Sequence, residues 1–301
     1  MIITILTMFP EYFESFLSAP IPRRAAERGI AGIELVDIKE YAGGCYRHID
    51  DGTYGGGAGM VLRAKPVLGA LSAVRSGRYH TALDSWSCGA AGLKGQGEFA
   101  GRDECSAGSG NSDLIPRAAA ESGTHPDGRS TLVAALTPVG PLYRQETAQR
   151  YARLQHLILI CGHYEGMDER IYAQVDERVS IGDYVLSGGE PAAQVVADSL
   201  LRLLPGVLRP QSTKDESFCD RGLLEYPQYT RPADLGGDQV PAVLLSGNHE
   251  EIRKWRLSES LRATLRYRPD LLERIELTPE EQALISQWKS SEDFKTEQPR
   301  E

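Results

Sequence analysis

Residues 156–189 read HLILICGHYEGMDERIYAQVDERVSIGDYVLSGG, in which two apolar runs each lead into a glycine-containing turn. The run HLILICG predicts a strand, and ERVSIGDYVLSGG (177–189) predicts a second one. In the second run the apolar Tyr-Val-Leu lies between Gly182 and the pair Gly188-Gly189, where free backbone groups would contact a flat heterocycle. Because ligands of open parallel sheets bind beyond the carboxyl ends of the strands, these turns predict a ligand pocket.

Strand-like and helix-like segments alternate on both sides of this stretch. The opening MIITILTMF, IELVDI (33–38) and STLVAALTP (130–138) predict strands. Helical spacing of apolar residues is found in 11–30, in 141–154 and in 191–208. This alternation predicts an α/β fold with a mostly parallel sheet. The strand ends LTPVG, CGHYEG and DYVLSGG should therefore converge on one pocket.

Composition and charge limit the class of protein. The chain has 301 residues, of which 41% are hydrophobic and 25% charged, values that exclude collagen-like, coiled-coil and wholly disordered chains. A net charge of -9 argues against nonspecific coating of nucleic acid or anionic membrane. The start lacks the features of an export signal, and no apolar run approaches the roughly eighteen residues of a membrane span. We therefore expect a cytoplasmic protein, with its five cysteines reduced.

The amino-acid composition changes twice along the chain, which predicts two domains of unequal size. Residues 76–130 contain ten glycines in fifty-five positions and no sustained apolar period, so we predict a disordered insertion there. Apart from that insertion, residues 1–207 should form the ligand-binding domain. A polar linker is predicted at 208–215, and a smaller helical domain at 216–301.

The helical domain carries the strongest local signals for helix starts and for positive charge. Two helices should begin at Asn248 and Thr278, each of which is followed three residues later by glutamate. The segment 251–268 has a local charge of +4, with Trp255 and Tyr267 interleaved. This pattern indicates a nucleic-acid surface or a solvated helix face with Trp255 in the core. Its basic residues are Arg253, Lys254, Arg256, Arg262, Arg266 and Arg268, and the pair Arg23-Arg24 would add phosphate contacts if it borders the same groove.

Candidate reactive groups are few. Asp215 and Glu216 are either solvated linker carboxylates or, if the linker covers the pocket, candidates for a general base tuned by a cation such as Arg202. YGGGAGM (54–60) lacks the lysine of a P-loop, and GxGxxG is absent. The histidines do not have metal-ligand spacing, so we predict no structural metal.

Seven motifs, taken in order, point to one known family. They are IDDGTYGGGAGM, LTPVG, ICGHYEGMDERI, SIGDYVLSGGE, DESF, LLEYPQYTRP and LLSGNHEEIRKWRL. With them the chain resembles the bacterial tRNA (guanine-37-N1)-methyltransferases over nearly its whole length except 76–130. The resemblance implies a SPOUT-class α/β domain with a deep trefoil knot in its mostly parallel sheet, and a smaller tRNA-binding helical domain. It also implies that the knot loops hold S-adenosylmethionine through Leu136, Thr137, Pro138, Gly162, Tyr164, Glu165, Ile181, Gly182, Asp183, Tyr184, Val185 and Leu186.

The resemblance further implies the reaction and its residues. In that family a methyl group passes to N1 of the guanine 3′ to the anticodon, in a homodimer whose subunits share each active site. The family's base is an aspartate directly before Ser-Phe, a place that Glu216 occupies here, with Asp215 one residue earlier. We expect Glu216 to act first, or Asp215 after a one-residue shift. Arg202 matches the arginine that stabilises charge on the guanine oxygen, and magnesium is implied without a recognisable site.

Two departures and two rival functions accompany this resemblance. Ala58 replaces a proline of the family's glycine loop, and His163 replaces an arginine before Tyr-Glu-Gly; neither touches the implied chemistry directly. A ribose 2′-O-methyltransferase of the same fold would not need a carboxylate before Ser-Phe. A noncatalytic tRNA-binding protein would keep the fold without binding the methyl donor.

Overall fold

The computed structural model describes residues 1–43, 47–57, 59–82, 130–209, 216–219 and 221–291. These residues divide into two units, Met1–Leu208 and Arg209–Glu301, which are considered separately below. Most of the expected insertion at 76–130, most of the linker at 208–215 and Ala58 lie outside the described residues. So does Asp215, one of the two candidate bases.

The regular elements are numbered in chain order. The strands are β1 (Ile2–Thr7), β2 (Gly32–Asp37), β3 (Asp50–Asp51), β4 (Val61–Leu62), β5 (Thr131–Leu136), β6 (His156–Cys161), β7 (Glu177–Val179), β8 (Asp234–Leu235) and β9 (Asp238–Gln239). The helices are α1 (Glu14–Ser18), α2 (Pro20–Glu27), α3 (Ala64–Arg75), α4 (Gln145–Tyr151), α5 (Glu169–Tyr172), α6 (Glu190–Leu203), α7 (Ala242–Leu245), α8 (His249–Tyr267), α9 (Pro269–Leu272) and α10 (Pro279–Ser290).

The N-terminal unit is organised around a five-stranded sheet with the order β2-β1-β6-β5-β7. Every neighbouring pair in this sheet is parallel. All six residues of β6, the central strand, are buried. The predicted α/β fold with a mostly parallel sheet is therefore confirmed.

Helices cover both faces of the sheet, which explains the uninterrupted apolar runs of its inner strands. Along β6, Leu157 and Leu159 face a cluster that includes side chains of α1, α2, α4 and α6. Ile158 and Ile160 face the opposite cluster, which includes side chains of α3 and α5. Successive strand residues point to opposite faces, so a strand that is buried on both faces must be apolar at each position.

The first predicted helix, 11–30, is broken into shorter pieces. A 3-10 turn at Pro10–Phe13 leads into α1, and Ala19 then leaves the helical conformation with a ψ of 154° before α2 begins at Pro20. The ring of a proline clashes with a helical conformation of the preceding residue, which accounts for the break.

Two further predictions differ from the structure in where a segment begins or ends. The predicted strand 177–189 is a strand only at Glu177–Val179, because the remainder turns away from the sheet, with Gly182 at a φ of 156°. The structure also describes residues 76–82, the first part of the predicted insertion. Tyr79 donates a hydrogen bond to Glu34, and the Ala82 amide donates to the Leu35 carbonyl over 2.7 Å, so this segment packs on β2.

The C-terminal unit contains the two predicted helices as α8 and α10, with the short α7 and α9 beside them. The Asn248 side chain caps α8 by accepting from the amides of Glu250 and Glu251. Thr278 and Glu281 form a complete capping box at α10. The buried hydrophobic cluster of this unit consists of Leu223, Leu261, Leu265 and Ile285.

Within the described residues, no helix combines the length and apolar character needed to cross a bilayer.

Candidate active site

A cavity of about 460 Å³ lies beyond the carboxyl ends of β5, β6 and β7. Three segments line it, which we call the first, second and third pocket loops: 136–139, 162–167 and 178–189. They are the strand ends that the sequence predicted to converge. The volume falls within the range of about 300–1,000 Å³ that is typical of small-molecule sites.

Most of the residues implied by the family resemblance lie in this cavity. Asp183 is the exception, since it is not among the lining residues. Arg202 and Glu216 do not line it either. The implied residues that the structure brings together there are Leu136, Thr137, Pro138, Gly162, Tyr164, Glu165, Ile181, Gly182, Tyr184, Val185 and Leu186.

Backbone contacts through glycine hold the second and third pocket loops together. The Gly189 amide donates to the Gly162 carbonyl over 2.7 Å. A methyl group placed on Gly189 would lie 2.8 Å from the Cα of Cys161, closer than any real side chain approaches. At Gly162 the same methyl group would lie 3.2 Å from the Leu136 carbonyl oxygen. Glycine is required here because two backbones meet without room for a side chain.

The first pocket loop is joined to the third in the same manner. The Thr137 amide donates to the Val179 carbonyl over 3.0 Å, and the Tyr143 amide donates to Ser180 over 2.7 Å. A methyl group on Gly140 would lie 2.8 Å from the carbonyl carbon of Arg178. The pocket walls are therefore fixed to one another by main-chain contacts.

The chain at the end of the glycine loop 54–60 is hydrogen-bonded to the second pocket loop. The Glu165 amide donates to the Met60 carbonyl over 3.1 Å, and the Leu62 amide donates to Gly166 over 3.0 Å. Gly59 has a φ of 91°, and a side chain there would collide with the carboxylate of Glu165.

Charged and aromatic groups that sequence reasoning missed form one wall of the cavity. The guanidinium of Arg178 lies 4.1 Å from the centre of the Tyr172 ring and pairs with Glu169. The Tyr172 hydroxyl donates to Thr137 Oγ1 over 3.3 Å. Glu169 lies within the motif ICGHYEGMDERI, but nothing in that motif indicated that the helix α5 would bring Tyr172 against Arg178.

A buried carboxylate lies beneath the second pocket loop. Glu190 is 1% exposed, and its Oε1 accepts a hydrogen bond of 2.7 Å from Thr7. Its Oε2 lies 3.7 Å from Nδ1 of His163. Burial, and then the charge of Glu190, raise the pKa of the Cys161 thiol well above its ordinary value. Cys161 is thus held as a neutral thiol, which does not suit it to nucleophilic chemistry.

In the C-terminal unit, Glu216 begins a tight turn at 216–219. The Phe218 residue has a φ of 65°, and its amide donates to the Leu223 carbonyl over 2.8 Å. The Ser217 hydroxyl accepts from the Glu225 amide over 2.9 Å. The turn that carries the candidate base is therefore held by the chain that follows it.

Arg202 lies near the carboxyl end of α6, while Ala192 near its other end lines the cavity. Ten helical residues separate the two, which corresponds to about 15 Å along the axis. The side chain of Arg202 therefore starts far from the cavity of its own chain.

The positive surface of α8 is partly neutralised by neighbouring acids. Lys254 lies 3.4 Å from Glu250 and 3.5 Å from Glu251, and Arg268 lies 2.8 Å from Asp270. Near the N-terminus, Arg24 donates to the Val207 carbonyl over 3.3 Å and so supports the N-terminal unit itself.

Among the side chains that the structure describes, no group of three or more His, Cys, Asp or Glu is arranged to hold a metal.

Comparison with known proteins gives consistent matches over the chain. The sequence profile of the family described as "tRNA (Guanine-1)-methyltransferase TrmD" matches residues 1–90 and 107–274. A tRNA (guanine-N(1)-)-methyltransferase of Moorella thermoacetica is 41% identical over 296 residues, covering 98% of this chain and 99% of the relative. The enzyme of the same name from Anoxybacillus flavithermus is 42% identical over 291 residues, covering 96% and 99%. That of Limosilactobacillus fermentum is 40% identical over 287 residues, covering 95% and 96%.

Proposed function

Because the chain belongs to the tRNA (guanine-1)-methyltransferase family, we propose that it transfers a methyl group from S-adenosylmethionine to N1 of a guanine in tRNA. The target is the guanine at position 37, directly 3′ of the anticodon. The observation that carries this proposal is the cavity at the ends of β5, β6 and β7, formed by the segments that carry the family's motifs.

The cavity suits the methyl donor in volume and in the character of its walls. Apolar side chains such as Leu136, Ile181 and Leu186 line it together with glycine backbone, which fits an adenine ring and its thioether chain. The close approach of Gly162 to Leu136 leaves a backbone cradle that a methyl side chain would narrow. Bound there, S-adenosylmethionine supplies an electrophilic methyl group on a positively charged sulfur.

The protein's task is to make N1 of guanine nucleophilic. This nitrogen carries a proton at neutral pH, so the carboxylate of Glu216, or that of Asp215, accepts the proton as the nitrogen bonds to the methyl carbon. The bond from that carbon to sulfur breaks at the same time, and its electron pair stays on sulfur as a neutral thioether. The guanidinium of Arg202 stabilises the negative charge that develops on the guanine oxygen.

The chain path between β7 and α6 supports the deep trefoil knot of the SPOUT class. β7 is the edge strand beside β5, yet the following loop returns across the sheet to the end of β6. There Gly189 bonds to Gly162, and Glu190 accepts from Thr7 of β1. β7 itself, before this loop begins, passes against the backbone at Gly140. This return to the end of β6 supports the knot that the family resemblance implies.

A homodimer with shared active sites explains where Arg202 lies. Its separation of about 15 Å along α6 from the cavity end suits a residue that serves the partner's pocket. Exposed apolar side chains on this unit provide a surface for a second copy. They include Val139, Val185 and Val195, which are 70%, 86% and 50% exposed. Magnesium has no residues assigned to it here, and no step depends on it.

The test of substrate and position is methyl transfer from labelled S-adenosylmethionine to two tRNA transcripts. One carries guanine at position 37 and the other adenine. We expect label only in the first, as 1-methylguanosine after nucleoside digestion. Equal labelling of both transcripts would reject the substrate, and label on a ribose oxygen would favour the 2′-O-methyltransferase. Titration calorimetry that shows no binding of S-adenosylmethionine would favour the noncatalytic tRNA binder.

The catalytic base is tested by two isosteric substitutions. Glu216→Gln should reduce kcat by about 10²-fold or more, because loss of a general base typically costs that factor. Asp215→Asn is the matched control and should retain most of the turnover. The opposite ranking would move the base to Asp215. Binding of S-adenosylmethionine should be unchanged in both.

Shared active sites are tested by mixing two variants that are each nearly inactive when S-adenosylmethionine is kept well below its Kd for Gly189→Ala. Glu216→Gln removes the base, and Gly189→Ala disrupts the pocket of its own chain. After unfolding and refolding together, about a quarter of the wild-type activity should return, because half of the random dimers are heterodimers with one intact site. If each site were built from a single chain, the mixture would stay inactive.

A further inference from the structure

The C-terminal unit has a cavity of its own, distinct from the pocket in the N-terminal unit. It has a volume of about 500 Å³ and lies between the segment 226–233 and the start of α8. Three aromatic residues line it: Tyr226, Tyr229 and Trp255. The sequence left open whether Trp255 belongs to the core, and the structure places it half-buried at this cavity, outside the cluster around Leu261.

The rings are arranged so that their faces are available. The centres of Tyr229 and Trp255 are 6.4 Å apart, and their planes are inclined by 51°, so the rings do not stack face to face. Tyr229 is 50% exposed. An inclined, half-exposed ring offers a flat apolar face on which a planar heterocycle can stack.

The charge of the cavity is complementary to RNA. Arg231 and Arg256 line it, and no acidic side chain is found among the described residues of its wall. The guanidinium of Arg256 lies 4.7 Å from the centre of the Tyr226 ring. Stacked guanidinium planes and aromatic rings are the groups that hold unpaired bases in single-stranded RNA. This local charge contrasts with the net charge of -9 of the whole chain.

We infer that this cavity binds one unpaired base of the tRNA substrate, other than the base that is methylated, stacked on Tyr229 beside the Arg256 guanidinium. The inference rests on the proposed function, because it takes tRNA as the ligand. A tRNA anticodon loop provides unpaired bases close to position 37. The cavity would thereby fix the orientation of the loop on the enzyme.

The test compares tRNA binding and turnover of full-length variants. Tyr229→Ala should weaken binding of the guanine-37 transcript, measured by fluorescence anisotropy, by about tenfold or more, because stacking of one base accounts for such a factor. Tyr229→Phe keeps the ring and should bind within about twofold of the wild type. Neither change should alter the affinity for S-adenosylmethionine in the absence of tRNA. Lys289→Ala, an exposed residue of α10, is a control for nonspecific loss of binding.

A fluorescent base identifies the contact directly. Transcripts with 2-aminopurine at single positions of the anticodon loop should show one position whose fluorescence changes on binding to the wild type and not to Tyr229→Ala. Equal affinity of Tyr229→Ala and wild type would overturn the inference. So would a change of oligomeric state in Tyr229→Ala, which would assign the surface to contacts between copies. If the wild-type protein binds tRNA through Tyr229 but transfers no methyl group, the proposed function is refuted. The role of this cavity in binding a base of tRNA would still stand.

Discussion

The two units of this protein are stabilised in different ways. In the N-terminal unit, two large apolar clusters sandwich the sheet, and the pocket loops are bonded to one another through their backbones. In the C-terminal unit, the buried cluster has four members, and the helices depend on caps and ion pairs at their ends. The pocket of the N-terminal unit is thus built on a large apolar core, whereas the C-terminal unit has a small one.

This difference means that the same kind of substitution should have different consequences in the two units. A small core loses a large share of its burial when one side chain is shortened, and a large core does not. Close backbone contacts, in turn, make the pocket sensitive to a single added methyl group.

Leu261→Ala should destabilise the C-terminal unit by about 2–5 kcal/mol, because it shortens one of the four buried side chains of its hydrophobic cluster. Two of the three tryptophans, Trp255 and Trp288, lie in this unit, so their fluorescence in a Trp86→Phe background reports its unfolding in urea. The unit should unfold at lower urea, while S-adenosylmethionine still binds.

The matched variant in the N-terminal unit is Leu159→Ala, which also shortens a fully buried leucine. Its cost should be similar in free energy, yet the sheet should stay folded and the tryptophan transition should not move. If both variants shifted the same transition equally, the two units would be one cooperative body and the contrast would fail.

Gly189→Ala should cost about 1–3 kcal/mol, because its methyl group meets the backbone at Cys161 and Gly162. The strain falls on the pocket, so calorimetry should show a loss of affinity for S-adenosylmethionine of at least about tenfold. Gly52→Ala is the control, since a methyl group there has no neighbour within 4 Å. If Gly189→Ala kept the wild-type affinity for S-adenosylmethionine, the second and third pocket loops would be able to move apart without disturbing the pocket.

The smallest effect concerns one ion pair in the C-terminal unit. The guanidinium of Arg221 bonds to Glu281 over 2.6 Å and 3.0 Å, and these hydrogen bonds lower the pKa of the Glu281 carboxyl. A lowered pKa in the folded state stabilises the fold above the unfolded pKa, and this stabilisation is lost as the pH falls through the folded pKa. Glu281→Gln should therefore cost about 1 kcal/mol at neutral pH, a modest value because water screens the partly exposed Arg221.

The difference between Glu281→Gln and wild type should shrink as the pH falls below the ordinary carboxyl pKa of 4.5. Glu177→Gln is its counterpart in the N-terminal unit, where hydrogen bonds from Arg150 lower the pKa of the Glu177 carboxyl. Both variants should show the same sign of pH dependence in urea unfolding. A pH-independent loss in Glu281→Gln would mean that packing, and not charge, is responsible.

Much of the fold was predictable because its signals are local. Neighbouring residues along the chain are sufficient to recognise the apolar runs of β1, β2, β5 and β6. The same holds for the helix caps at Asn248 and Thr278. Two predictions based on continuity were wrong, since the helix at 11–30 breaks at Pro20 and the strand at 177–189 ends at Val179. In both cases a proline or glycine interrupted a periodic pattern that otherwise continued.

The amino-acid sequence alone was enough to predict the strands β1, β2, β5 and β6, the helices that begin at Asn248 and Thr278, and a pocket at three glycine-containing strand ends. This was possible because period and turn chemistry depend on residues close together in the chain. Only the tertiary structure decided that Arg178 stacks on Tyr172, that Glu190 lies beneath His163, and that Trp255 lines a cavity and not the core. Such contacts join residues whose separation along the chain carries no pattern, so they become visible only when packing brings them together.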